Sequence, residues 1–364
     1  MVSGSEPKRR NAGDFVPLSW EEAYEKAGNT LAKMTQAEKA MLMQGTGWKY
    51  FEPKFKWWYT GVTPAIPRLE IPSLKFQDAA SGFRLMWREM HGTVVCWPSL
   101  LAVAATWDLE LSHALGVALG KEFSGKGADA ILGPSVNVHR VAQGGRNFEY
   151  ISGEDPYLGS RLATQYIHGV QSQGIFAVVK HFVLNQQETH RSSSSSEADA
   201  KTMWELYYPP FQAAVDAGVC AVMCSYNRVN GAYACANHGA LGRDLRGVMG
   251  FQGFVQSDWW ATHGTDVEKG LDQEMPGNDG WYTLQRLTCP PGSNYYGIDR
   301  EFLISTAALA FFFIFLLFVF FCSSRARSLM KRLASRIHPG FRHRLFVLQF
   351  GSCTRRTACL VSFS

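Results

Sequence analysis

Four short apolar runs each break off at a polar or glycine residue, and helix-like sequence fills the gaps between them. Ala130-Ile131-Leu132 runs into Gly133-Pro134, and Ile175 to Val179 runs into Lys180-His181. Val219 to Met223 runs into Ser225-Tyr226-Asn227, and Gly253 to Gln256 runs into Ser257-Asp258. The intervening stretches, such as Leu158 to Gln173 and Ala198 to Ala217, carry helical periodicity. Alternating buried strands and helices build a parallel sheet. Chemically capable residues at the C-terminal ends of successive strands predict a closed α/β barrel of the (β/α)8 (TIM) type. A doubly wound open sheet is the alternative, with its ligand at one switch point. Neither GxGxxG nor GxxxxGK occurs, which argues against a nucleotide ligand.

With 364 residues, 46% of them hydrophobic and 13% aromatic, the chain can bury a large core. The net charge of +5 is concentrated at one end: residues 323–364 hold nine Lys/Arg and no Asp/Glu. Removing those nine leaves about −4 on the remainder, with no basic stripe, so nucleic acid is not an expected partner. Phe302 to Cys322 is 21 residues without a charge, long enough to cross roughly 30 Å of hydrocarbon. Arg325, Arg327, Lys331, Arg332 and Arg336 follow it, which predicts a single span with its basic tail in the cytosol. The first residues, MVSGSEPKRRNAGDF, show no apolar leader segment. The expected localisation is a single-pass membrane protein with the globular part outside, or a secreted protein if the C-terminal segment is set aside. Of the eight cysteines none forms a CxxC pair or a zinc-type cluster. Cys224 and Cys235 flank a turn-rich stretch; a disulfide and two buried thiols are both open readings. Ser192 to Ser196 reads as an exposed flexible loop.

The strand ends supply a consistent chemistry. Asp258, followed by Trp259 and Trp260, places a carboxylate beside indole faces, as cleavage of a sugar requires. The carboxylate attacks or stabilises an electron-poor anomeric carbon, and the apolar face of a pyranose lies on the aromatic ring. Lys180 and His181 suit the holding of sugar hydroxyls, and Arg146 is a forked donor on a glycine turn. Asp78 can accept two hydrogen bonds from neighbouring hydroxyls. Taken singly each residue has an ordinary structural reading; together, at successive strand ends, they define a candidate site.

The same positions carry a resemblance. MTQAEKAMLMQGTGW (34–48), IPRLEIPSLKFQDAASGFR (66–84), AATWD (104–108), GPSVNVHR (133–140), GGRNFE (144–149) and GEDPYL (153–158) are followed by VKHFVLNQQETHR (179–191), VMCSYNRVNG (222–231), GFQGFVQSDWWA (250–261) and GLDQEMPG (270–277). Over about residues 15–283 the chain resembles the N-terminal catalytic barrel of glycoside hydrolase family 3, the β-glucosidase family. The resemblance implies that Asp258 is the nucleophile of a retaining mechanism and that Trp259 shapes the sugar subsite. Asp78, Arg84, Arg146, Lys180, His181 and Arg191 would grip the hydroxyls of a terminal glucose, and Tyr226 would lie against the nucleophile. The implied substrate is a β-glucoside or cello-oligosaccharide, with no metal or organic cofactor. In N-acetylhexosamine-cleaving relatives a Gly-His-Gly type loop follows the Lys-His pair. Here Phe182-Val183-Leu184-Asn185-Gln186-Gln187 follows instead, which favours glucosidase or xylosidase specificity, with Asp78 favouring glucose.

Two departures from the family pattern shape the domain reading. The character of the chain changes near Leu284, so the barrel is expected to be incomplete at its C-terminal end. The proton donor, which the resemblance assigns to a glutamate on a following α/β sandwich domain, has no counterpart among these motifs. Glu149, Glu154 and Glu188 are carboxylates near the mouth with ordinary structural readings, and none is assigned that role. The expected organisation is a disordered start (1–14), the barrel (15–283), a linker (284–301), the span (302–322) and a disordered basic tail (323–364). The competing functional reading is a membrane-anchored, catalytically dead sugar-binding homologue.

Overall fold

The computed structural model describes residues 18–47, 58–277 and 279–288. The expected span Phe302–Cys322 and the basic tail lie outside the described residues. Among the described residues no helix is long and apolar enough to cross a membrane.

The strands are β1 (Gly61–Val62), β2 (Lys75–Gln77), β3 (Ala130–Ile131), β4 (Phe176–Phe182), β5 (Ser195–Ser196), β6 (Ala221–Cys224), β7 (Arg228–Val229), β8 (Ala232–Tyr233) and β9 (Phe254–Ser257). Six form a curled sheet in the order β1-β2-β3-β4-β6-β9, parallel throughout except for β1. The helices are α1 (Trp20–Leu31), α2 (Gln36–Leu42), α3 (Leu100–Ala104), α4 (Leu109–Gly125), α5 (Pro156–Gln171), α6 (Ala200–Thr202), α7 (Pro209–Asp216) and α8 (Leu284–Thr288). Two of them begin with capping boxes, Ser19 with Glu22 and Thr35 with Glu38, which satisfy the otherwise unpaired first-turn N–H groups. The stretch Ala198 to Ala217, expected as one helix, is divided by a π turn at Met203–Tyr207, just ahead of the Pro209-Pro210 pair. A proline ring cannot continue the helical ladder it interrupts.

Backbone pairing continues past both ends of the six-stranded sheet. Ser257 N donates to Gln273 O, Glu274 N to Met43 O, Gly45 N to Glu274 O and Thr46 N to Val62 O. Segments 43–47 and 272–276 thus join β9 back to β1, and hydrogen bonding runs around a ring. The sequence predicts a barrel incomplete at its C-terminal end; among the described residues the β9 edge is paired. Gly45 permits the junction: a Cβ there would lie 2.0 Å from Pro276 O. Beyond it Leu284–Thr288, inside the stretch expected as linker, is a short helix, and its Leu287 is 4% exposed.

Alternating strand residues divide the interior in two, because successive side chains point to opposite faces. Ile131, Ala177, Val179, Val222 and Val255 pack with the helices. Phe76, Ala130, Phe176, Val178, Ala221, Met223 and Phe254 pack with one another inside the ring. Edge-to-face contacts of Phe176 with Phe76 (5.6 Å) and Phe254 (6.0 Å) fill that interior. Polar side chains therefore collect where the strands end, above this plug.

The serine run differs from expectation. Ser195–Ser196 pairs in parallel with Arg228–Val229, and β7 turns back into β8 through Asn230-Gly231. Both turn residues have positive φ (50° and 86°), the geometry that Asn-Gly hairpins favour. The backbone ladder is reinforced by the hydroxyls: Ser195 Oγ accepts from Gly231 N and Ser196 Oγ donates to Leu184 O. Cys224 and Cys235 are joined as a disulfide, fixing the base of this hairpin to the end of β6.

Candidate active site

Asp258 follows β9 directly. Its backbone N–H donates to Cys224 O, and Trp259 N–H donates to its Oδ1 at 2.7 Å. The residue is 7% exposed, and Oδ2 has no hydrogen-bond partner. Burial pushes the Asp258 carboxyl up; Arg146, Lys180, the Trp259 amide and the Tyr226 phenol hold it down. One carboxylate oxygen is thus anchored while the other points into a basic, nearly dry pocket.

Lys180 and His181 lie on β4. Asn137, from the loop after β3, grips the His181 backbone at both ends: its Oδ1 accepts from His181 N (2.7 Å) and its Nδ2 donates to His181 O (3.1 Å). The His181 ring places Nε2 3.5 Å from Asp258 Oδ2 and 3.2 Å from Arg146 Nη2, while Nδ1 lies 3.0 Å from Tyr150 Oη. Burial first, then Arg146, Lys180 and Arg191, push this imidazole well below the ordinary histidine range, so it is neutral near pH 7.

Arg146 sits on the glycine turn and bonds Glu149 through Nε. Its Nη1 lies 3.7 Å from Glu188. Lys180 Nζ stands between two carboxylates, 3.8 Å from Glu149 and 3.9 Å from Asp78. Asp78, just past β2, is further tied to Arg84 at 2.8 Å, and the Thr60 hydroxyl lies 3.5 Å away. Arg191 is held by Glu188 at 2.6 Å, and its guanidinium lies 3.9 Å from the centre of the Tyr226 ring. Four cations (Arg84, Arg146, Lys180, Arg191) and four carboxylates (Asp78, Glu149, Glu188, Asp258) thereby interlock at the strand ends.

Seven of the expected residues (Asp78, Arg84, Arg146, Lys180, His181, Arg191 and Tyr226) thus join Asp258 in one connected cluster. Trp259, whose backbone amide holds Asp258, presents no open ring face. Its ring is buried (6% exposed) among the residues inside the ring, and its Nε1 donates to Thr60 O. Trp260, at φ +62° and 56% exposed, is the indole that faces outward. The cluster also includes residues that the sequence reading did not assign to it. Asn137 and Tyr150 lie in stretches that read as strand or core, and only their nearness to the glycine turn marks them. Glu149 is taken up by Arg146 and Lys180. Among the described residues no group of three His, Cys, Asp or Glu converges as a metal site.

Such a site can present a carboxylate nucleophile to a small polyhydroxylated ligand held by charged, forked donors. Comparison with known proteins agrees with that chemistry. The profile of the glycosyl hydrolase family 3 N-terminal domain matches residues 61–276, and the chain belongs to that family. A beta-glucosidase of Rhizobium radiobacter is 45% identical over 251 residues, covering 68% of this chain and 29% of that protein. A probable beta-glucosidase A of Aspergillus terreus is 41% identical over 296 residues, covering 77% and 32%. Among solved structures, a beta-D-glucoside glucohydrolase from Trichoderma reesei superposes with a TM-score of 0.74 at 34% identity, covering 83% of this chain and 41% of that one. A Streptomyces venezuelae beta-glucosidase in complex with D-glucose gives 0.71 at 32% identity, covering 81% and 38%. The chain spans about a third of the length of these curated relatives.

Proposed function

We propose that this chain is the (β/α)8-type barrel of a retaining β-glucosidase, removing terminal β-D-glucosyl residues with Asp258 as nucleophile. The observation that carries the reading is the asymmetry of Asp258: Oδ1 is fixed by Trp259 N–H, and buried Oδ2 has no partner. Oδ2 is the oxygen left to attack the anomeric carbon, forming a glycosyl-enzyme that water then hydrolyses. Lys180, His181, Arg146, Arg191 and the Asp78–Arg84 pair surround the space where hydroxyls would bind. Asp78, braced by Arg84 and Lys180, holds its carboxylate oriented, which supports glucose as the sugar. Tyr226, facing the nucleophile, steadies its charge. Trp259 shapes the subsite from below as a buried wall, and Trp260 offers the exposed ring. No described glutamate is assigned as proton donor, since Glu149 and Glu188 are committed to arginines. The apolar run Phe302–Cys322 with its basic flank supports a single-pass tether that holds the barrel outside the cell.

An aryl glucoside with a very good leaving group, 2,4-dinitrophenyl β-D-glucoside, tests the assignment because its departure needs no general acid. The chain should release a burst of dinitrophenol, and Asp258→Asn should lower that rate by at least about 10³-fold. An Asp258→Asn chain that keeps a tenth of the rate would remove Asp258 from the nucleophile's role. Saturable glucose binding with no burst would favour the sugar-binding alternative.

A further inference from the structure

Which proton His181 carries decides whether Asp258 Oδ2 stays free. Two hydrogen-bond arrangements fit the positions of the atoms. In the first, His181 Nδ1–H donates to Tyr150 Oη, the tyrosine hydroxyl donates to Asn185 O (3.4 Å), and Arg146 Nη2–H donates to Nε2 (3.2 Å). In the second, the tyrosine hydroxyl donates to Nδ1, and Nε2–H points at Asp258 Oδ2 across 3.5 Å. The second arrangement turns the imidazole N–H toward a guanidinium that has only donors, and it leaves Asn185 O without the tyrosine. The first satisfies all three contacts.

From this geometry we infer that Tyr150 is a positioning residue that locks His181 as its Nδ1–H tautomer, keeping Nε2 a proton acceptor and Asp258 Oδ2 unbonded. Tyr150 is 3% exposed, lines a small cavity with Asn137, Arg146, Asn185 and Glu188, and reaches Asp258 through the imidazole rather than by a hydrogen bond of its own. The groups facing the ring are Arg146, Lys180 and Arg191 on the cationic side, with Asp258 and the Tyr150 phenol opposite. Removing the phenol oxygen leaves a buried Nδ1–H with no acceptor, which favours transfer of the proton to Nε2, where Asp258 can accept it. The nucleophile would then be hydrogen-bonded at the oxygen that must attack. Only this catalytic consequence rests on the glucosidase reading; the tautomer itself does not.

The test is 15N NMR of the full-length chain labelled at histidine, which has ten such residues, with the His181 signals assigned by their loss in His181→Gln. The two ring nitrogens of a neutral histidine differ strongly in 15N shift, so the tautomer is read without substrate. Wild type should show protonated Nδ1 and bare Nε2, and Tyr150→Phe should shift the population toward Nε2–H. In the same variant the dinitrophenyl glucoside kcat should fall about ten-fold with KM nearly unchanged. A wild-type protein with protonated Nε2 overturns the inference, and that measurement needs no variant to fold. A folded Tyr150→Phe with the wild-type tautomer also overturns it, whatever happens to the rate. Loss of turnover in wild type alongside the expected tautomer would count against the glucosidase reading alone.

Discussion

Glu274 gives the protein a stability that falls as pH rises. Its side chain is fully buried at the ring junction, and its two oxygens accept from Asp279 N (2.9 Å) and Tyr282 N (2.7 Å). Burial, aided by Asp279 and opposed by those two amides, pushes the carboxyl from 4.5 up to about 7. Between these values the folded chain holds a proton that the unfolded chain releases, so stability is full below about pH 4.5 and is lost as pH climbs to about 7. A displacement of about 2.5 pH units at 1.36 kcal/mol each is a loss of about 3 kcal/mol across that window. Glu274→Gln removes the ionisation. It sacrifices one acceptor facing an amide N–H, a pH-independent cost of about 1 kcal/mol. Denaturant melts from pH 4 to 8 should therefore show the difference between wild type and Glu274→Gln changing by about 3 kcal/mol in favour of the variant as pH rises. The difference cancels the distant carboxyls that burial raises, Asp258 and Asp272; Asp279, raised to about 6, faces Glu274, so part of its titration stays in the difference. A difference that stays flat with pH would mean that Glu274 titrates in the folded chain as it does in the unfolded one, and the argument from burial would fail.

Two further substitutions probe the ring and its buried charge. Gly45→Ala puts a methyl where Pro276 O lies 2.0 Å away, so the junction must open; a loss of several kcal/mol, about 3 or more, should appear in a urea melt. Arg246→Leu leaves Asp272, 5% exposed, without the guanidinium that binds its Oδ2, and should cost about 3–5 kcal/mol by the same measurement. The bond that Val255 N–H donates to Asp272 Oδ2 would remain.

The sequence displays those parts of the fold whose interiors are apolar on both faces. The runs at Phe176–Phe182, Ala221–Cys224 and Phe254–Ser257 are buried throughout. Segments 43–47 and 272–276 escape notice because they carry Gln44, Gln273 and Glu274 inward, and polar composition suggests loop. The bonds that join them to each other span more than two hundred residues, such as Gln273 Nε2 on Leu42 O, while the Glu274 carboxyl is met by nearby amides. In the site, charged residues at strand ends are conspicuous because they interrupt apolar runs, so Asp258, Lys180, His181 and Arg146 stand out. Tyr150 and Asn137 do not, because an aromatic or an amide inside such a run looks like ordinary packing. Trp259 and Trp260 are adjacent letters with opposite fates, and only the positive φ at Trp260 separates the buried ring from the exposed one.

The closure of the ring through Gln44 and Glu274 also has a kinetic meaning. These two residues meet across nearly the whole length of the barrel sequence, and Asp258 emerges beside them. A contact between such distant positions forms late, because the intervening chain must be gathered first. During synthesis segment 43–47, which can already bond Val62 through Thr46, must wait for its second partner until the ribosome has released the segment after Asp258. Nascent chains stalled before residue 272 should therefore be sensitive to proteolysis near residues 43–47, and Asp258 would become enclosed only when segment 272–276 arrives.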